Sequence, residues 1–312
     1  MSGTGKSPPI LRLAVSAADP ADDERLQRAL VEIAGQVSEV SINPQPQDGL
    51  YRIEGRAESD LDSVCDRLRD EYHLAINLGP PMAIFLETVR KQAEAEGKYI
   101  RQTGGSGNYG HCKLRLEPDQ PGNGYQFINE IRGGAVPSEY INSIDQGVQD
   151  AMRQGVLAGF PVVDVKVTLY DGSYHETDSN PMAFTFAGSI AFKEAAKKAS
   201  PVILEPMMLI EIEVPQEIVP AIRREISAHR GRIDHELTGN GLNEIRAVVP
   251  LSELLSVESG GLAEFPIEFS GYEPVRDSGS PDDGKAGVTA NKPNYPRHGS
   301  RSEMAPWIPE EE

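Results

Sequence analysis

One order of elements occurs twice in this chain of 312 residues, and it fixes most of what the chain can become. Residues 10–17 alternate apolar and polar, with Leu11, Leu13 and Val15 on one side, the period of a half-buried strand. Asp19-Pro20 then opens a helix in which Leu26, Leu30, Ile33 and Ala34 recur at helical spacing, and Gly35 closes it. Strands follow at 40–43 and 50–54 around a turn at 44–49. A second helix covers 59–72, with Leu61, Val64, Cys65 and Leu68 on one face, and a last strand covers 74–78. This βαββαβ order is the ferredoxin-like arrangement. It returns after Pro201: a strand at 207–214, a helix at 216–229 with Ile218, Val219, Ile222 and Ile226 inward, and a hairpin of 232–237 with 242–249. That hairpin turns on Thr238, Gly239, Asn240 and Gly241. A short helix at 251–257 and a strand at 263–269 complete the second copy.

The segment between the copies follows a different order. Strands are predicted at 98–102 and 113–117 on either side of a glycine-rich turn. A helix at 138–153 carries Tyr140, Ile144 and Val148 on one stripe. A strongly apolar strand at 162–170 leads into a polar, turn-forming stretch at 171–180, and a second helix covers 182–199. The expected fold class is α+β, two ferredoxin-like βαββαβ domains flanking a mixed α/β domain. The expected divisions are a disordered N-terminus at 1–8, domains at 9–87, 88–200 and 201–275, and a disordered acidic tail at 276–312, rich in Pro, Gly, Ser and charge.

The formal net charge of −18 argues against a broad electrostatic grip on nucleic acid. Its distribution is uneven: residues 1–88 carry −7, residues 89–200 only −1, and residues 201–312 −10. The middle segment is the part least repelled by phosphate. No run of eighteen apolar residues is present and the N-terminus carries no apolar signal core, so the chain is expected to be cytoplasmic, with no membrane partner. Two cysteines, Cys65 and Cys112, do not make a disulfide framework.

Several short motifs suggest chemistry that their context does not support. Gly3-Thr4-Gly5-Lys6-Ser7 looks like the end of a phosphate loop, but the glycine and buried strand that should precede it are missing. Asn291-Lys292-Pro293-Asn294 is similar to a guanine-reading motif without its acidic fourth residue. Residues 105–110 match G-x-G-x-x-G, yet a strand-like alternation follows instead of the helix that pyrophosphate binding requires. A hairpin tip whose glycines supply positive φ is the stronger reading, and Ser106, Gly107, Asn108, Tyr109 and His111 on such a tip can contact RNA. His111, Cys112 and His175 fit no zinc spacing, and neighbours on a strand face opposite ways; neither a metal nor another cofactor is expected. Asp171, Gly172, Ser173, Tyr174 and His175, with Tyr170 before them, read as an exposed loop. Its aromatic faces and short polar groups suit unpaired or distorted RNA.

Three stretches carry a resemblance to a known family: residues 97–111 (GKYIRQTGGSGNYGH), 159–184 (GFPVVDVKVTLYDGSYHETDSNPMAF) and 187–206 (AGSIAFKEAAKKASPVILEP). Together they resemble the fourth domain of translation elongation factor G, and the flanking units fall where that family's third and fifth domains lie. The resemblance spans residues 8–275. It implies a fold also found in a small-subunit ribosomal protein, and a domain that reaches the ribosomal decoding region during translocation. The loop at 170–178 and the hairpin at 104–111 would form its tip, with His175 matching the family's tip histidine. By this resemblance the partners are the ribosome, tRNA and mRNA.

The departures shape the functional expectation. The family's GTPase domain and the barrel that follows it have no counterpart here, so no GTP hydrolysis is expected of these residues. The family's G-E-L-H-L-E stretch, near its GTPase interface, is replaced by Gly55-Arg56-Ala57-Glu58-Ser59-Asp60-Leu61-Asp62. The R-x-x-T-Q-G-R-G segment of the last domain gives way to residues 258–264. The leading expectation is a monomeric, non-catalytic, ribosome-associated paralogue. The alternatives are one half of a split factor completed by a separate GTPase, a non-translational enzyme using His111, Cys112 and His175, and a decaying gene fragment.

Overall fold

The computed structural model describes residues 8–47, 49–101, 107–239, 241–256, 262 and 265–276. Expectations for the phosphate-loop-like start, for Ser106 and the turn glycines before it, for residues 258–261, 263 and 264, and for the tail from 277 fall outside these residues. Two units are distinguished. One comprises residues 1–84, 206–271 and 276–312, the other residues 85–205 and 272–275.

The first module contains β1 (Leu11–Ala17), α1 (Asp23–Gln36), β2 (Ser41–Gln47), β3 (Leu50–Gly55), α2 (Glu58–Asp70), β4 (Ile76–Leu78) and the two-residue β5 (Met82–Ala83). The sheet runs β2-β3-β1-β4 with all pairings antiparallel. Alternation along β1 buries Leu11, Leu13 and Val15 and sends Arg12 outward to Glu54, 2.6 Å away. On α1, Leu26, Ala29, Leu30 and Ile33 form the buried stripe, behind a short 3-10 turn that Asp19 caps through the amide of Ala21. The altered stretch after Gly55 has a local role. Asp60 accepts hydrogen bonds from the amides of Arg56 and Ala57 at 2.9 and 3.1 Å, closing the N-terminus of α2.

The middle module holds β6 (Leu86–Val89), β7 (Ala93–Arg101), β8 (Asn108–Pro118), β9 (Tyr125–Asn129), α3 (Ile141–Gln154), β10 (Val165–Ser173) and α4 (Pro181–Lys198). Its sheet runs β7-β8-β10-β9, and β9 pairs parallel to β10 across the α3 crossover. Both hairpin strands extend well beyond the predicted ones. The predicted loop at 171–180 is corrected at its start: Asp171, Gly172 and Ser173 belong to β10, paired with Lys113, Cys112 and His111. Strand β9 has no counterpart in the sequence reading, because none of its residues is fully buried and the adjacent Phe127 and Ile128 break the alternation.

Helix α4 is buried along most of its length by small residues, among them Ala183, Ala187, Gly188, Ala191 and Ala195. Glycines let its backbone touch its neighbours' backbones. A Cβ on Gly97 of β7 would lie 1.9 Å from the carbonyl oxygen of Ala187, and one on Gly110 of β8 2.4 Å from that of Ala183. On the opposite side, a Cβ on Gly147 of α3 would meet the carbonyl oxygen of Thr185 at 1.9 Å, and one on Gly188 that of Ile144 at 2.4 Å. Neither Gly107 nor Gly110 has positive φ. The glycine-rich run reads as turn chemistry in the sequence, and at Gly110 it is close approach to the α4 backbone that requires the missing side chain.

The last module repeats the first: β11 (Pro201–Val214), α5 (Val219–Ala228), β12 (Arg232–Thr238), β13 (Asn243–Pro250), α6 (Leu251–Leu254) and β14 (Ile267–Pro274). Its sheet order, β12-β13-β11-β14, is the order of the first sheet. The chain is therefore α+β, with two ferredoxin-like sheets and one mixed sheet. Helix α5 starts three residues later than read, with Pro220 in its first turn, and the closing strand lies at 267–274 instead of 263–269. Among the described residues, no helix is long and apolar enough to cross a membrane.

Glu87 of β6 is fully buried, and its carboxylate accepts five backbone hydrogen bonds. Val156 and Leu157 donate to Oε2 at 2.7 and 2.9 Å, and Ala158, Gly159 and Phe160 to Oε1 at 2.7, 2.9 and 3.1 Å. The amides offset the desolvation of the charge, and the charge holds the loop that carries α3 back to the sheet. Replacing Glu87 with Gln leaves one acceptor oxygen and turns an NH2 group toward N–H donors. We expect Glu87→Gln to lower unfolding stability by roughly 3 kcal/mol, read as a lower urea midpoint; an unchanged midpoint contradicts this account of the loop.

Candidate RNA-binding tip

The end of the mixed sheet is shaped by one irregularity. Between Leu169 and Asp171 the register of β10 against β8 shifts, leaving Tyr170 as the extra residue of a β-bulge. Leu169 still faces the core opposite Leu114. Beyond the bulge the parity is reversed, so Gly172 faces inward beside Cys112 while Asp171 and Ser173 share the outer face with Lys113 and His111. A Cβ on Gly172 would fall 2.5 Å from both the carbonyl oxygen of His111 and Cγ2 of Val136. Gly172 is therefore a spacer that lets the strands close.

The outward groups then meet. The Tyr109 hydroxyl lies 2.7 Å from Oγ of Ser173, and Nδ1 of His111 lies 2.8 Å from the same oxygen. Nε2 of His111 is buried and faces Oε2 of Glu96 at 3.4 Å, without hydrogen-bond geometry. The arrangement consistent with these partners has the Nε2 proton toward Glu96 and Nδ1 accepting from Ser173, which in turn accepts from Tyr109. Serine, histidine and carboxylate in sequence suggest a hydrolytic triad. However, the serine oxygen is also held by Tyr109, and the carboxylate does not bond the ring. Asp171 stands apart, 2.8 Å from Nζ of Lys113; that ammonium holds the carboxyl below the usual aspartate range, and the pairing raises the lysine.

The second half of the tip is a tight turn. The His175 amide donates to Oγ of Ser179 at 2.9 Å, and the Ser179 amide donates back to the His175 carbonyl at 3.0 Å. Ser179 also donates its hydroxyl to the Tyr109 carbonyl at 3.0 Å. Asp178 accepts from the amide of Gly107 through Oδ1 at 3.0 Å and from the amide of Tyr109 through its carbonyl at 2.8 Å. Asn180 caps α4 by accepting from the Ala183 amide, and its NH2 donates to Oδ1 of Asn108 at 2.7 Å. The hairpin strand and the turn after β10 are thus joined into one surface, with the Tyr109 and His175 ring centroids 6.3 Å apart. Tyr174 is 45% exposed, and the His175 side chain stands free of the core, within 3.1 Å of the Thr177 hydroxyl.

Of the residues singled out from sequence, Gly107, Asn108, Tyr109, His111, Ser173 and His175 come together. Tyr174 projects beside them, Asp171 lies further along the strand, and Gly172 points inward. Asp178 lies within the 170–178 stretch but was given no contact role, and Ser179 and Asn180 were not singled out, although Asn180-Pro181 is a helix-start signal in plain view. Cys112 is buried against the core, where burial pushes its thiol up to about 12, so it is neither an accessible nucleophile nor a companion to His111. Among the described residues, no group of three or more His, Cys, Asp or Glu is gathered to hold a metal.

Two family models match this chain: elongation factor G domain IV over residues 81–200, and the elongation factor G C-terminus over residues 202–281. The chain belongs to the elongation factor G family. Its mixed module, with the tip just described, corresponds to domain IV. A crystal structure of a Thermus thermophilus protein is similar at 36% sequence identity and a TM-score of 0.63, over 87% of this chain. The chain spans 42% of the length of that protein.

The hydroxyl of Ser179 bonds both halves of the tip, accepting from the His175 amide and donating to the Tyr109 carbonyl. We expect Ser179→Ala to speed exchange of the His175 amide about tenfold, matching the loss of a hydrogen bond of about 1.4 kcal/mol. Unchanged exchange, measured by NMR, would show that the turn holds without it.

Proposed function

We propose that this chain is a translation factor paralogue of the elongation factor G family that binds the ribosome near the decoding region through the domain IV tip. In this reading it acts in the cytoplasm as a monomer, without hydrolysing GTP in these residues. It has three modules, at 9–87, 88–200 and 201–275, and the middle one carries the contact. The observation that supports it most is the joining of the two tip segments. Tyr109, His111, Ser173 and His175 stand on one hydrogen-bonded surface whose free elements are an aromatic ring, an imidazole and short polar groups. Such a surface suits local, shape-based contact with tRNA, mRNA or small-subunit RNA through stacking and base-edge hydrogen bonds. The carboxylates around it, Glu96, Asp171 and Asp178, are unsuited to a wide phosphate footprint.

Tyr174 and His175 project from the turn, so replacing both with Ala should leave the fold intact. We expect the double variant to bind ribosomes about tenfold more weakly or worse, the scale of losing one or two stacked bases, in co-sedimentation at fixed salt with circular dichroism unchanged. Equal co-sedimentation of the two proteins would sink the tip-binding reading.

A further inference from the structure

One face of α4 is turned to solvent although its residues are apolar. Met182, Phe186 and Ile190 recur every four residues and are 53%, 45% and 38% exposed. Phe186 is held in place by the ring of Tyr99, stacked at 4.8 Å with 24° between planes. The same helical face continues into Lys193 and Lys197, which reach Gln154 and Glu194 at the surface. The face therefore reads, from the N-terminal end, apolar and then cationic.

A segment of this chain has the complementary order. In Met304-Ala305-Pro306-Trp307-Ile308-Pro309-Glu310-Glu311-Glu312, an apolar cluster is followed by three carboxylates, and the tail around it is otherwise polar. Its reach is ample. The described chain leaves the middle unit where the Val275 amide bonds the Ile203 carbonyl at 3.0 Å, two residues after β11 takes over from the end of α4. Thirty residues separate Arg276 from Trp307. A chain of that length can extend to roughly 100 Å, against about 27 Å for the whole of α4.

We propose that residues 304–312 dock in cis on this face. Met304, Trp307 and Ile308 cover Met182, Phe186 and Ile190, and the terminal glutamates lie against Lys193 and Lys197. The apolar part removes exposed hydrophobic surface from water, and the charged part sets the direction. The docking itself does not depend on the ribosome reading.

Trp307 is the only tryptophan in the chain, so its fluorescence reports the docking directly. In the intact protein we expect emission at shorter wavelength than in guanidinium and several-fold weaker quenching by acrylamide, both unchanged on dilution. Phe186→Asp should return both readings to their solvent-exposed values. A charge-reversed Lys193→Glu, Lys197→Glu variant, which leaves the apolar face intact, should move them part of the way and make them sensitive to salt. Three outcomes would overturn the proposal: solvent-exposed emission in the intact protein, a blue shift that survives Phe186→Asp in a folded variant, or a shift that disappears on dilution. The last would assign the face to a second copy.

Discussion

The seating of α4 is the constraint on which the middle unit depends. Its backbone touches those of β7 and β8 through Gly97 and Gly110, and meets α3 through Gly147 and its own Gly188. Contacts this close leave no room for adjustment, because the atoms that would have to move are main-chain carbonyls. The helix therefore has one position along the sheet, and its first turn falls directly beneath the tip. Asn180 can then cap the helix and bond Asn108 at once, and Tyr140 can stack on Phe184 at 4.6 Å while bonding the Ser179 carbonyl. Packing energy deep in the domain thus becomes positional accuracy at its end.

Two further devices complete that accuracy. The bulge at Tyr170 reverses the parity of β10 so that Ser173 reaches His111 and Tyr109, which an unbroken strand would point into the core. The Glu87 carboxylate gathers five amides from the loop after α3 and so fixes the return of the chain to β10. Glu87 lies outside the tip and the bulge at its base, yet each decides where tip residues stand.

Much of this was legible in sequence, and the reasons for success and failure are physical. The two ferredoxin-like orders were readable because Leu11, Leu13 and Val15 on one strand, and Leu61, Val64, Cys65 and Leu68 on one helix, repeat with the period of their own element. The tip residues were readable because aromatics and histidines are unusual in polar, glycine-containing stretches. Asp171–Ser173 was misread as a loop because a glycine among polar residues carries the same signal in a turn and in a strand pressed against a neighbour. Only the three-dimensional proximity of Val136 distinguishes them. Glu87 was invisible, since a single acid in an apolar strand announces neither its burial nor its five partners. Helix α4 carries a weak amphipathic pattern because glycine and alanine contacts, not large side chains, bury most of it.

Membership of the elongation factor G family and the geometry of the domain IV end lead to one central claim: the tip meets RNA of the decoding region. Both native cysteines are buried, so a cysteine placed at Tyr174 offers a single accessible attachment point. Tethering an iron chelate there and probing bound ribosomes for hydroxyl-radical cleavage tests the claim most directly. The account predicts strand scission in small-subunit RNA around the decoding region, absent when the chelate is carried instead at exposed Arg28 on α1. Cleavage confined to other parts of the ribosome, or an identical pattern from both positions, would contradict it.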